Sequence, residues 1–436
     1  MRRRDLLIGG VGMAVASGAQ AQAETFRSAA REAYIWGLPL IEFARVRANA
    51  LRGGLPPNRF HHMRPLADHR SRSVTTPNND TVYSTGFLDL RGGPVTLSLP
   101  AAGERYLSVQ LMDAYTNSFA VLGTRTTGPD GGEVVIAGPR GEAPAGALRA
   151  LTDWVWALGR TLVEGPDDLA AAHAVQDGLR LSGGAGASPP TYDANRNGPA
   201  LAVLTTIRKL ALEFPPPAKD RAVLARARPA LADFETARLT REAVQALEAG
   251  VEDARTALRG AGGLGGGGPV ADGWGYPRAG LGDFGQDYGY RAAVAVNGLA
   301  ALPREEAMYM RPIPPGGGGV FPPGRWRLRF APDRLPPLHE PGGFWSLTMY
   351  QADPDGQLWL VENPLARYAI GDRTAGLRRE SDGALEILIA PDDPGPALRG
   401  NWLPAPRVPW TVVMRTYLPK AELLDGRYRL PPLEPA

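Results

Sequence analysis

The chain contains no cysteine among its 436 residues. No disulfide can brace it, and no thiolate can serve as nucleophile or metal ligand. Its stability therefore has to come from the size of its core. Histidine is scarce too, with five residues, so any imidazole chemistry is confined to His61, His62, His69, His173 and His339. There is no GxSxG elbow, no HExxH pair and no glycine loop followed by Lys and Ser or Thr. Beyond the first residues no stretch reaches spanning length. Strong charge is also missing. The formal net charge of +3 falls to about +1 once residues 1–23, with three Arg and one Asp, are set aside, so nothing favours nucleic acid as a partner.

Glycine and proline are abundant, at 54 and 42 residues. They imply many turns and suit a β-rich architecture. The first residues, MRRRDLLIGGVGMAVASGAQAQA, have a basic start, a short apolar run and two A-x-A endings. Arg3-Arg4-Asp5-Leu6-Leu7 resembles the twin-arginine signal that exports folded proteins. A periplasmic or secreted location is expected, with cleavage after Ala21 or Ala23. No stable membrane insertion is expected once the signal is removed.

Residues 25–50 read as a helix, with Gly37 and Pro39 expected to bend it. From about residue 80 to 163 the apolar period changes to two, giving candidate strands TVYSTGFLDL, GPVTLSLP, YLSVQLMDA, FAVLGTR, GEVVIAGP and WVWALGRTL. Helical patterns return at 168–181, 200–214, 229–258 and 288–300. The glycine run at 260–268 reads as a loop. Strands follow at GRWRLRF, FWSLTMYQA, LWLVEN, ALEILIA and WTVVMRTYL. No clean internal repeat is apparent. The order predicts a mainly β fold with accessory helices, in the form of two β-sandwich or jelly-roll-like domains. The divisions are an export signal (1–23), a helix plus first β domain (24–165), a helical connection (166–300) and a second β domain (301–436).

Three clusters carry candidate chemistry. Asn78-Asn79-Asp80, followed by Tyr83, places amides and a carboxylate at the mouth of a strand. Local backbone has too few free groups to satisfy them all. In SVQLMDAYTN, Val109, Leu111 and Ala114 are expected to pack inward. Gln110 and Met112 then take the other face, with Asp113 at the strand end. Residues 342–374 hold Trp345, Tyr350, Asn363, Arg367, Tyr368, Asp372 and Arg373, where aromatics beside forked cations suit a polar or amphipathic ligand. His61, His62 and His69, with Asp68 or Asp80, are the candidate metal ligands. Adjacent strand residues point opposite ways, so no metal is predicted, and no cofactor.

TPNNDTVYS, RYLSVQLMDAYTNSFAVLGTRTTG, FWSLTMYQAD, ENPLARYAIGDRT and NWLPAP resemble segments of the DUF1254/DUF1214 family of bacterial proteins, in the family's order. The resemblance implies an exported protein of sandwich or jelly-roll-like domains with accessory helices, and it brings no settled activity. The leading expectation is a protein that binds or processes a small polar or amphipathic molecule in an inter-sheet cleft. The alternatives are a metal-independent hydrolase or isomerase, using Asp80 or Asp113 with Arg367 or Arg373, and a structural protein. Sheet edges leave a homo-oligomer open.

Overall fold

A computed structural model describes residues 3–72, 75–184, 186, 189–234, 238–261, 267–354 and 356–436. Met1, Arg2 and the core of the glycine run, 262–266, where a loop is expected, lie outside the described residues. The first set of strands is β1 (Phe60–His62), β2 (Thr81–Asp89), β3 (Val95–Leu99), β4 (Leu107–Met112), β5 (Ser118–Gly123), β6 (Gly132–Ala137), β7 (Leu148–Arg149), β8 (Trp154–Leu162) and β9 (Arg180–Gly183). They form an inner sheet, β1-β2-β8-β4-β5, and an outer sheet, β7-β6-β3-β9. Leu88, Leu97, Val109, Leu111, Val155 and Leu181 fill the space between them, as alternation along each strand requires.

The second set is β10 (Val270–Ala271), β11 (Trp274–Gly275), β12 (Ala307–Pro312), β13 (Trp326–Phe330), β14 (Phe344–Ala352), β15 (Leu358–Trp359), β16 (Ala369–Gly371), β17 (Leu385–Ala390), β18 (Trp402–Pro404), β19 (Trp410–Tyr417) and β20 (Leu433–Pro435). Its inner sheet runs β10-β11-β12-β19-β14-β15, with β16 also on β14, and its outer sheet runs β18-β17-β13-β20. Leu328, Leu347, Met349, Ile387, Val412 and Met414 lie between these two.

The two sandwiches repeat one plan. In each, four strands carry a Tyr, Arg, Ser and Gly side by side. The first row is Tyr83–Arg160–Ser108–Gly123 and the second is Tyr309–Arg415–Ser346–Gly371. In both outer sheets the pair at one edge is parallel, β6 with β7 and β17 with β18. The motifs VLGTRTTG (121–128) and AIGDRTAG (369–376) fall at matching places. A side chain on Gly123 would meet the Leu107 carbonyl oxygen at 2.1 Å, and one on Gly371 the Trp345 oxygen at 2.2 Å. The chain is thus an internal duplication, although the sequence shows no clean repeat. Strand positions preserve size and polarity more than identity: YLSVQLM and FWSLTMY share only their serine.

The helices are α1 (Arg3–Arg52), α2 (Leu169–Gly178), α3 (Ala200–Glu213), α4 (Arg221–Ala227), α5 (Arg241–Gly260), α6 (Tyr288–Asn297) and α7 (Ala421–Leu424). Trp36, Phe43, Leu204, Ile207 and Leu247 pack with Phe87, Trp154 and Trp156 on the free face of the first inner sheet. Pro39 does not end α1. Gly37 lets α3 cross closely, because a Cβ there would lie 2.3 Å from Ile207 Cγ2. Within 229–258, expected to be one helix, a short 3-10 segment ends at Leu231 and α5 begins only at Arg241. Thr240 caps that helix, its hydroxyl accepting from the Ala243 N–H at 3.2 Å. The first β unit does not stop at residue 165, because β9 pairs with β3. Likewise the second begins before 301, because β11 pairs with β12. Among the described residues no helix is long and apolar enough to cross a membrane.

Candidate functional site

The two inner sheets face each other across a seam that contains Tyr106, Tyr309, Phe344, Tyr350, Val413 and Tyr417. Strand alternation puts one arginine from each unit into it. Arg160 shares its face of β8 with Trp154, Trp156 and Leu158. Arg415 shares its face of β19 with Val413 and Tyr417. Both are almost wholly buried, at 4% and 3% exposure. Arg160 donates to Gln110 Oε1 at 3.0 Å and to the Ala300 carbonyl at 2.6 Å, with its guanidinium 5.5 Å from the Tyr83 ring centre. Arg415 donates to Thr348 Oγ1 at 2.8 Å, the Tyr350 hydroxyl at 2.8 Å and the Thr76 carbonyl at 3.2 Å. Every one of these acceptors is neutral. Gln110 and Thr348 occupy matching places in the two units.

Carboxylates cross the seam in both directions. Asp80, three residues before Tyr83, accepts from Ser346 Oγ at 2.6 Å and pairs with Arg373 at 3.1 Å. Glu306, three residues before Tyr309, accepts from the Tyr106 hydroxyl at 2.8 Å and pairs with Arg125 at 2.6 Å. Arg125 and Arg373 are the arginines of the two repeated GxRT motifs. Burial raises the Glu306 carboxyl, against the pull of Arg125. Asp372 is raised to about 6, chiefly by burial and in spite of Arg373. It accepts from the Trp345 N–H at 3.1 Å, as Thr124 accepts from the Leu107 N–H at 2.9 Å in the other unit.

Several residues expected at a site do converge here. Asn78 donates to the Tyr417 hydroxyl and to Thr81 Oγ1, each at 3.0 Å. Tyr350 donates to the Pro77 carbonyl at 2.7 Å. Asp80, Tyr83, Gln110, Asp372 and Arg373 belong to the same seam. Asn79 braces its own loop, donating to the Ala67 carbonyl at 2.6 Å. Tyr368 lies at the rim, 2.8 Å from His69 Nδ1.

Other residues lie elsewhere. Arg367 donates to the carbonyls of Arg399, Gly400 and Trp402; it straps an outer segment and does not reach Asp80. Asn363 closes its own turn, bonding to the backbone of Val361, Leu365 and Arg367, as Asn before Pro readily does. Trp345 is in the core of the second sandwich, because odd positions of β14 face inward there. Asp113 turns toward the helical layer, where it accepts from Asn117 at 2.8 and 3.0 Å, and burial raises its carboxyl.

The histidines do not gather. His61 and His62 pair with Thr85 and Ser84 on opposite faces of β1, and His62 Nδ1 is 2.8 Å from Ser84 Oγ. Among the described residues no group of three or more acidic or imidazole side chains is placed to hold a metal ion.

The expected open cleft is a packed seam. Two surface cavities lie away from it: one of about 350 Å³ beside Arg329, Arg334, Arg427 and Arg429, and one of about 610 Å³ beside Pro57, Asn58 and Gly184.

Arg160, Arg415, Glu306, Arg125, Tyr106, Tyr309 and Tyr417 were not singled out by sequence reasoning. The available signal was a lone arginine in an otherwise apolar strand, WVWALGRTL and WTVVMRTYL, since a buried cation needs a reason to be there.

Two like sandwiches joined by reciprocal carboxylates define a duplicated, two-unit β protein with accessory helices. The chain belongs to the DUF1254/DUF1214 proteins. The family model described as protein of unknown function DUF1254 matches residues 57–183, and that described as protein of unknown function DUF1214 matches residues 321–421. The solved VPA0106 protein from Vibrio parahaemolyticus is 23% identical, with 94% of this chain and 99% of that chain covered and a TM-score of 0.70, so it shares the fold. An uncharacterised protein from Burkholderia cenocepacia is 13% identical over 96% of each chain, with a TM-score of 0.43. No curated protein matches the chain.

Proposed function

We propose that the chain is an exported binding protein that takes a small molecule with an anionic group at the seam between its sandwiches. The observation that carries this reading is the pair of buried arginines, Arg160 and Arg415, whose hydrogen-bond acceptors are all neutral. Burying a guanidinium costs several kcal/mol, about what an anionic partner returns. The seam also holds Arg125 and Arg373 against the carboxylates of Asp80, Glu306 and Asp372. With Asp372 raised to about 6, the local balance is cationic and grows more so as pH falls. Export rests on the twin-arginine-like start and the A-x-A endings.

Binding is favoured over turnover because both oxygens of Asp80 are engaged, one by Ser346 and one by Arg373. A general base must be within reach of a substrate proton, and Asp80 is buried at 4% exposure with both oxygens against protein groups. The test is a thermal-shift panel of small carboxylates, phosphate and sulfonates against matched neutral analogues. Saturable stabilisation by anions and none by neutral analogues is expected; a flat response to the whole panel contradicts the reading. For export, the mass of chain recovered outside the cytoplasm should correspond to cleavage after Ala21 or Ala23, and uncleaved chain confined to the cytoplasm would refute it.

A further inference from the structure

We infer that the two duplicated arginines have diverged in role: Arg160 is the ligand-binding one, for a carboxylate on an apolar or aromatic body, and Arg415 is its structural counterpart. This rests on the anion-binding reading above and narrows it to one half of the seam.

The comparison is internal, because the two units supply matching positions. Arg415 has three protein acceptors, and one of them is the Tyr350 hydroxyl at 2.8 Å. The position matching Tyr350 in the first unit is Met112, four residues after the shared serine in each strand. Its thioether gives Arg160 no acceptor of comparable strength. Arg160 is left with Gln110 and the Ala300 carbonyl. Each arginine has a carboxylate in its neighbourhood but not within hydrogen-bonding distance, Glu306 near Arg160 and Asp80 near Arg415.

Ala300 belongs to the short connection after α6 and has φ 64°, a left-handed backbone that alanine adopts at a cost. Thr76, whose carbonyl covers Arg415, is similar at φ 57°, so strain alone does not separate the two halves; the added acceptor does. The neighbours of the Ala300 cover, Gly298 and Leu299, are only partly buried, and Asn297 is exposed, so Arg160 lies one loop from solvent. A ligand carboxylate would take the place of the Ala300 carbonyl on the guanidinium fork. The half-buried Tyr83 ring, already stacked on Arg160, and Leu299 would then meet an apolar or aromatic body.

The test uses the full chain with benzoate and inorganic phosphate as probes, read by calorimetric titration on wild type, Arg160→Gln, Arg160→Lys and Arg415→Gln, with circular dichroism to confirm folding. Benzoate should bind wild type, lose at least tenfold in affinity in Arg160→Gln, and lose less in Arg160→Lys, which keeps the charge without the fork. Folded Arg415→Gln should be less heat-stable and still bind. Hydrogen exchange at residues 298–302 should change on adding benzoate to wild type. Binding kept in Arg160→Gln but lost in folded Arg415→Gln would move the site to the other half and overturn the inference, leaving the broader reading intact. Phosphate binding without benzoate binding would overturn the ligand class. No binding of either probe overturns the inference; the broader reading falls only if the wider anion panel is also silent.

Discussion

Asp80 and Ser346 stand 266 positions apart in the chain and share a hydrogen bond of 2.6 Å across the seam. The carboxylate at the mouth of β2, with its amide neighbours, is thus a clamp between duplicated units as well as a turn.

Removing the charge in Asp80→Asn should leave Arg373, one-fifth exposed, with only the longer 3.5 Å ion pair to Asp372. A loss of about 2–4 kcal/mol is expected from urea denaturation. Ser346→Ala, which removes one neutral donor, should cost about 1–2 kcal/mol. Equal and negligible effects would show that the clamp contributes nothing.

Asp372 supplies a pH dependence. Its carboxyl is raised from 3.8 in an open chain to about 6 in the fold. The protonated form is favoured by folding, so this stabilisation is full below about pH 4 and is lost as pH rises through 6. Wild type should lose stability over that interval more steeply than Asp372→Asn, which keeps an acceptor for the Trp345 N–H. Parallel profiles would contradict the shift.

Gly123→Ala and Gly371→Ala should be damaging to a similar degree, about 3 kcal/mol or more each, because both new methyl groups collide with a backbone carbonyl. Melting temperatures measure this. A harmless substitution at either place would argue against the equivalence of the two units.

Arg367→Ala should loosen the segment it straps, Arg399–Trp402, costing about 1–2 kcal/mol and admitting protease there, with anion binding unchanged. Lost binding would return Arg367 to the site.

Much of the fold was legible. The strands at 154–162 and 344–352 follow directly from apolar alternation and the turns that bound them. The strands β7, β9 and β12 were not: two to four residues carry too little periodicity in β7 and β9, β9 continues an apparently helical run through Leu179 and Leu181, and AMYMRP in β12 is buried at nearly every residue and shows no alternation. Asn78 and Asp80 were legible as candidates because polar groups crowd a strand mouth. Arg160 and Arg415 were not, because alternation assigns a residue to a face without saying what covers that face. The duplication was hidden for a related reason: the chain conserves a role at each position more than an identity, and the GxRT pair at 123–126 and 371–374 is the clearest trace.

The most direct measurement is untargeted mass spectrometry of small molecules carried by protein purified from its native compartment, wild type beside Arg160→Gln. The account predicts an anionic molecule, enriched in wild type, depleted in the folded variant and restoring thermal stability when added back. Protein that carries no such molecule, and gains no stability from any anion offered, would contradict it.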